Sequence, residues 1–189
     1  MGDNMMKLQI KPLKALKNTC GPTSLRMVLT YYGINKKEKE ILKAIGGLRK
    51  YSIRTVRLAE YADKLGFDYE CFSYEKELSH GIAKIRKPDS NDILKFLKKR
   101  MPVIIAVNAS LLFGYRDKKM GHFIVITGYG NRHFWYNDPW DGKTHKINTE
   151  NLKFAWFNNV IDSSAYLLAI WPKKFLRTHR NKNKKCHGK

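Results

Sequence analysis

The apolar residues of this chain change their spacing near residue 66, and that change limits the folds open to it. Before it, Leu25, Val28, Leu29 and Tyr32 recur at steps of three and four residues, the period of a helix with one buried face. Pro22 suits the first turn of that helix, Thr19 stands where an N-cap is expected, and Gly33 follows as a stop. A second helix is predicted over 36–44, ended by Gly46-Gly47, and a third over 52–65 with Val56, Leu58, Ala59 and Ala62 inward. After Gly66 the pattern becomes strand-like: 67–72, then a polar stretch at 73–90, a short helix over 91–99, and the wholly apolar run 102–107. Residues 121–128 and 133–137 form the expected arms of a hairpin turned by 129–132, before a helix at 149–157 and a last strand at 164–170. Helices first and antiparallel strands later predict an α+β fold.

At 189 residues the chain is expected to fold as one domain over 1–172, followed by a basic, disordered tail at 173–189. That tail carries eight Lys/Arg and no acid, so it accounts for eight of the net +21 charges. The excess draws acidic partners by long-range attraction, and any contact with nucleic acid would come through the tail alone. No apolar run is long enough to span a bilayer, and the first residues lack a signal-peptide layout, which makes a cytoplasmic location the expectation. Cys20, Cys71 and Cys186 are too few and too scattered for a disulfide framework or a zinc site. Cys71 reads as strand packing, and Cys186 with His187 offers only two metal ligands. No metal or cofactor is implied.

One of these cysteines has a different setting. Cys20, followed by Gly21-Pro22, stands at the first turn of the predicted helix, where free backbone N–H groups and the positive end of the helix dipole favour thiolate over thiol. His122 begins one predicted hairpin arm and Asp138 follows the other, 16 residues on. In a hairpin those positions are neighbours, so an imidazole able to take the thiol proton would have a carboxylate to hold its tautomer. Pro139 keeps Asp138 extended. Nothing in the pattern brings Cys20 to this hairpin.

The run Asn18-Thr19-Cys20-Gly21-Pro22-Thr23-Ser24-Leu25, continuing to Gly33, resembles the nucleophile helix of the bacteriocin-processing, papain-like cysteine peptidases, which cut leader peptides after a double glycine. Gly121-His122-Phe123-Ile124-Val125 is similar to that family's histidine strand, and Asn137-Asp138-Pro139 through Gly142 to its Asp-Pro loop. Asn148 through Trp156 resembles the capped helix that follows, so the likeness runs in order over roughly 14–170. It implies a papain-like fold in which an N-terminal helical part carries Cys20 as nucleophile, and a C-terminal antiparallel sheet carries His122 as base and Asp138 as orienter. It implies, too, a free-standing peptidase or amide hydrolase acting on a peptide or protein through a thioester acyl-enzyme. The chain departs from the family six residues before the cysteine, where a glutamine usually completes the oxyanion hole and this sequence has Lys14. Lys14 or Asn18, with Gln9 in reserve, are the candidates to stand beside the N–H of Cys20 as donors. Two other readings follow: a non-catalytic peptide-binding module on the same fold, favoured by Lys14, and a thiol acyl transferase that passes the acyl group to an amine.

Overall fold

The computed structural model describes residues 5–48, 53–114, 120–158 and 166–173. The tail beyond Lys173, with Cys186, His187 and His179, lies outside the described residues, as do Ser52 and the first residues of the expected last strand. Seven helices and eight strands are present among those described. In order they are β1 (Met6–Lys7), α1 (Cys20–Tyr31), α2 (Glu38–Ala44), α3 (Thr55–Lys64), β2 (Phe67–Ser73), α4 (Lys76–Ser79), β3 (Lys84–Ile85) and α5 (Ser90–Lys98). There follow β4 (Val103–Asn108), α6 (Ala109–Phe113), β5 (Gly121–Gly130), β6 (His133–Asp138), β7 (Lys143–Asn148), α7 (Thr149–Phe157) and β8 (Leu167–Pro172).

The strands form one sheet in the order β3-β2-β8-β4-β5-β6-β7, antiparallel throughout except where β2 meets β3. Its interior strand β4 is buried on both faces, as its unbroken apolar run requires. Helices α1 and α5 pack against β5, α3 against β2 and α7 against β4. The inward residues of the first and third helices are those expected from spacing: Leu25, Val28 and Leu29, then Val56, Leu58, Ala59 and Ala62, all fully buried. Trp156 of α7 is enclosed completely and spends its indole N–H on the Tyr166 carbonyl at 2.9 Å.

Four details differ from the sequence expectation. The polar stretch 73–90 contains α4 and β3, and α6 and β7 were not anticipated; each is short or polar. Thr19 occupies the N-cap position of α1 without a side-chain cap bond; its hydroxyl is spent on Glu38 and the Leu16 carbonyl. The β5–β6 turn is only Asn131-Arg132, both with positive φ (49° and 59°), the twist that a two-residue hairpin loop needs. Asp138 is the last residue of β6, where a loop position was expected.

The β5–β6 hairpin is not in uniform register. Near its tip Gly130 faces His133 and Gly128 faces Trp135, but beyond Thr127 the pairing moves by one, with Ile126 facing Tyr136 and Val125 facing Asn137. Thr127 is the extra residue of a β-bulge. Its carbonyl accepts the N–H of Leu8 at 2.7 Å, and its hydroxyl donates to the Trp135 carbonyl at 3.3 Å. Here β4 ends, at Val103 opposite Ile126, and β1 takes over the same edge of β5, with Lys7 opposite Gly128. A Cβ on Gly128 would stand 2.5 Å from the Met6 carbonyl oxygen, so only glycine admits the N-terminal strand there.

Candidate active site

The bulge decides which face Asp138 occupies. A register carried unbroken from the tip would set Asp138 opposite Val125, whose side chain points away from His122. The one-residue shift sets it opposite Ile124, on the face that His122 shares two residues along. His122 Nε2 and Asp138 Oδ1 are 2.7 Å apart, and both side chains are almost sealed, at 3% and 1% exposure. The same carboxylate oxygen accepts the Trp140 N–H at 2.7 Å, and the Asp138 carbonyl accepts the Gly142 N–H at 2.9 Å, so the turn after β6 closes on the acid.

Gly21 brings Cys20 to this pair. A Cβ at Gly21 would lie 3.3 Å from the Phe123 ring and 3.3 Å from Ile53, so a bare backbone lets the start of α1 press onto β5 beside His122. The half-buried Cys20 then lies near enough to the imidazole to help raise the His122 pKa. Burial works against a charge on His122, yet hydrogen bonds to Asp138 and Cys20 and their negative charge outweigh it, and its pKa is pushed up from 6.5 to about 9. Cys71, the buried cysteine of β2, has no such partners, and burial pushes its thiol up to about 12.

Aromatic rings border the histidine. Trp140 stands edge-on to the imidazole with centroids 6.2 Å apart, and Phe113 lies 5.9 Å from both rings. From sequence Trp140 reads as an anchor; the structure leaves it 55% exposed beside His122. Lys14, Asn18 and Gln9 are all exposed. Lys14 is fixed by its backbone: Gly142, with φ +72°, passes so close that a Cβ there would lie 2.8 Å from the Lys14 nitrogen, and Ala15 N–H bonds to the Pro139 carbonyl at 2.7 Å. The segment before Cys20 and the loop after Asp138 are therefore clamped together. Asn18 has φ +61°, a left-handed conformation that asparagine tolerates.

Sequence reasoning missed Glu38, the first residue of α2. It is 8% exposed and its carboxylate accepts from Leu16 N–H at 3.3 Å, from the Thr23 hydroxyl at 2.8 Å and from the Thr19 hydroxyl. It stands in a lysine-rich stretch of the sequence, where nothing signals its role. Among the described residues no cluster of three or more His, Cys, Asp or Glu could hold a metal ion, and no helix is long and apolar enough to cross a membrane.

A cysteine at a helix start, beside a buried histidine–acid pair on a sheet, invites comparison with known proteins. The family model described as Peptidase_C39 like family matches residues 5–162. The chain belongs to the Peptidase_C39-like family. No curated protein sequence matches it. Among solved structures, a C39-like peptidase from Bacillus anthracis is similar at 18% identity and a TM-score of 0.66, over 90% of this chain and 99% of that one. The peptidase domain of Streptococcus ComA, a bifunctional ABC transporter of a quorum-sensing pathway, shares 21% identity at a TM-score of 0.59, over 87% of this chain and 100% of its own. A double-glycine-motif protease from an AMS/PCAT transporter, solved with its leader peptide, matches at 18% identity and 0.58, over 91% and 98%. A cysteine protease from Carica candamarcensis follows at 14% and 0.50, over 86% and 92%. These likenesses identify the papain-like fold of the cysteine peptidases.

Proposed function

We propose that this protein is a cysteine peptidase that cleaves a peptide or protein by way of a Cys20 thioester. In this reading Cys20 Sγ attacks the scissile carbonyl, and the proton held on His122 passes to the leaving amine as the C–N bond breaks. His122, neutral again, then takes a proton from water as that water attacks the thioester. The thiol leaves, and the acid product is released. Asp138 keeps Nε2 engaged, so that Nδ1 is left for the sulfur and the imidazolium is stabilised before attack and again when water attacks the thioester. The developing oxyanion requires donors beside the sulfur; the Cys20 N–H is one, and Lys14 and Asn18 are the candidates for a second.

One observation carries the reading: the sealed His122–Asp138 pair, with Cys20 near enough to help raise the pKa of the imidazole. Family membership supports it, and the relative solved with a leader peptide supports a peptide as substrate. The excess of basic residues favours acidic peptides at encounter.

The test is the iodoacetamide labelling rate of Cys20 against pH, read by peptide mass in wild type and in His122→Ala, with Cys71 as internal control. Labelling of Cys20 well below the pH expected of a free thiol, lost without His122, is the expected result, with protection of Cys71 throughout. Labelling of Cys20 that follows an ordinary thiol in both proteins would remove the basis for a peptidase. Lys14, standing where the family carries an amide donor, favours a second reading in which the groove binds peptide without turnover. Mass-detected accumulation of a thioester from a peptide substrate separates the two, and release to an added amine in preference to water would make the chain an acyl transferase.

A further inference from the structure

We infer that Glu38 is a positioning residue for the nucleophile: its buried carboxylate sets the rotation of α1 and so aims Cys20 at His122. The inference rests on the peptidase reading for its consequence, though not for its geometry. Helix α1 begins without the usual supports. Thr19 makes no side-chain cap bond, and there is no acidic residue in its first turn. Glu38 supplies from another helix what α1 lacks, a negative group at the positive end of the helix dipole.

The contacts are arranged to resist rotation. Thr19 and Thr23 are four residues apart, hence on one face of the helix, and they bracket Cys20. The Thr23 hydroxyl reaches one carboxylate oxygen at 2.8 Å; the Thr19 hydroxyl and the Leu16 N–H, at 3.3 Å, reach the other. Both ends of the approach to the nucleophile, at Leu16 and at Thr23, are thus tied to one rigid group. A turn of about 20° about the helix axis would carry an atom ~5 Å from that axis by about 1.7 Å. Misplacement of this size at a reacting atom costs on the order of a hundredfold in rate.

Burying a carboxylate is costly unless its lone pairs are satisfied, and here three donors converge on it with no cation in salt-bridge contact among the described residues. A buried acid kept without an ion pair, beside the nucleophile helix and touching no other functional group, is explained by what it holds. The hydrogen bonds, more than the charge, do the holding. A glutamine at this position would keep its carbonyl oxygen for Leu16 and Thr19, and the Thr23 hydroxyl would reverse to accept from its amide.

The experiment compares the full-length wild type with Glu38→Ala, Glu38→Gln and Thr19→Val. It reads the Cys20 iodoacetamide rate and the hydrogen-exchange protection of the first-turn amides of α1. Glu38→Ala and Thr19→Val should each slow Cys20 labelling about tenfold or more and lower protection at Thr23 and Ser24, while Cys71 stays protected. Glu38→Gln should restore both readouts to within about twofold of wild type. Wild-type labelling and exchange in Glu38→Ala would overturn the inference, as would a glutamine variant as impaired as the alanine one. Should Glu38→Ala fail to fold, Thr19→Val with unaltered exchange and labelling overturns it equally. The two proposals fail separately. If wild-type labelling proves independent of His122, the peptidase reading falls, and exchange at Thr23 still decides whether Glu38 holds the helix.

Discussion

Substituting Asp138→Asn removes one charge from the site and leaves its shape. The carbonyl oxygen of asparagine can still accept from His122 Nε2 and from the Trp140 N–H, both 2.7 Å from Oδ1. What changes is the imidazole. Its pKa of about 9 is a rise of about 2.5 units from 6.5, and each unit is about 1.36 kcal/mol, so the protonated ring is favoured in the folded protein by about 3 kcal/mol. A raised histidine pKa stabilises fully below the unfolded value of 6.5, and the contribution is lost as pH rises through about 9. Without the Asp138 charge, burial goes on opposing protonation and only the Cys20 contribution remains, so the His122 pKa must fall. The asparagine N–H replaces Oδ2, a buried oxygen with no hydrogen-bond partner among the described residues, which adds an offset that does not vary with pH. Urea unfolding of both proteins between about pH 6 and pH 10 should therefore give a stability difference that is largest at the acid end and shrinks by up to about 3 kcal/mol. Lysines and tyrosines titrate in both proteins and cancel in the difference. The ring proton shifts of His122 by NMR give the pKa directly. A difference constant across the range, or a wild-type His122 that titrates near 6.5, would refute the reasoning.

Gly142→Ala would force a side chain into a left-handed backbone and to 2.8 Å from the Lys14 nitrogen; a loss of about 1–3 kcal/mol is expected by urea unfolding, with a lower His122 pKa as the Asp138 turn shifts. Lys14→Gln restores the side-chain amide expected of the family, and a rise in turnover of up to about a hundredfold on a cleaved peptide is expected; no change would mean that the oxyanion has its donors elsewhere.

How far the residues alone foretold this arrangement depended on the range of the forces involved. Helices α1 and α3 and strands β4 and β5 were legible because each buries a face whose period appears in a single segment, as with Leu25, Val28 and Leu29. Strand β7, Lys143–Asn148, was not, since an edge strand with one wet face needs few apolar residues. The four-residue helix α4 falls below what periodicity can register. The candidate trio was legible as residue types, but its placement was not. The approach of Cys20 to His122 depends on Gly21 lying against Phe123, and Glu38 reaches Thr19 and Thr23, on either side of Cys20, across a loop from another helix. Such contacts join distant segments through shape, and no local pattern announces them.

The extra residue at Thr127 has a consequence for how this hairpin can change over time. It splits the two arms into a proximal part, which bears His122 and Asp138, and a distal part from Gly128 to Trp135, which meets the N-terminal strand. Lengthening or trimming both distal arms by equal numbers would leave the proximal pairing as it is. An odd change confined to one arm between Thr127 and Asn137 would reverse the parity of the count and turn Asp138 to the opposite side of the sheet from His122. The tip is thus open to evolutionary drift or to grafting, while the parity of the count between histidine and acid is constrained as tightly as their identities.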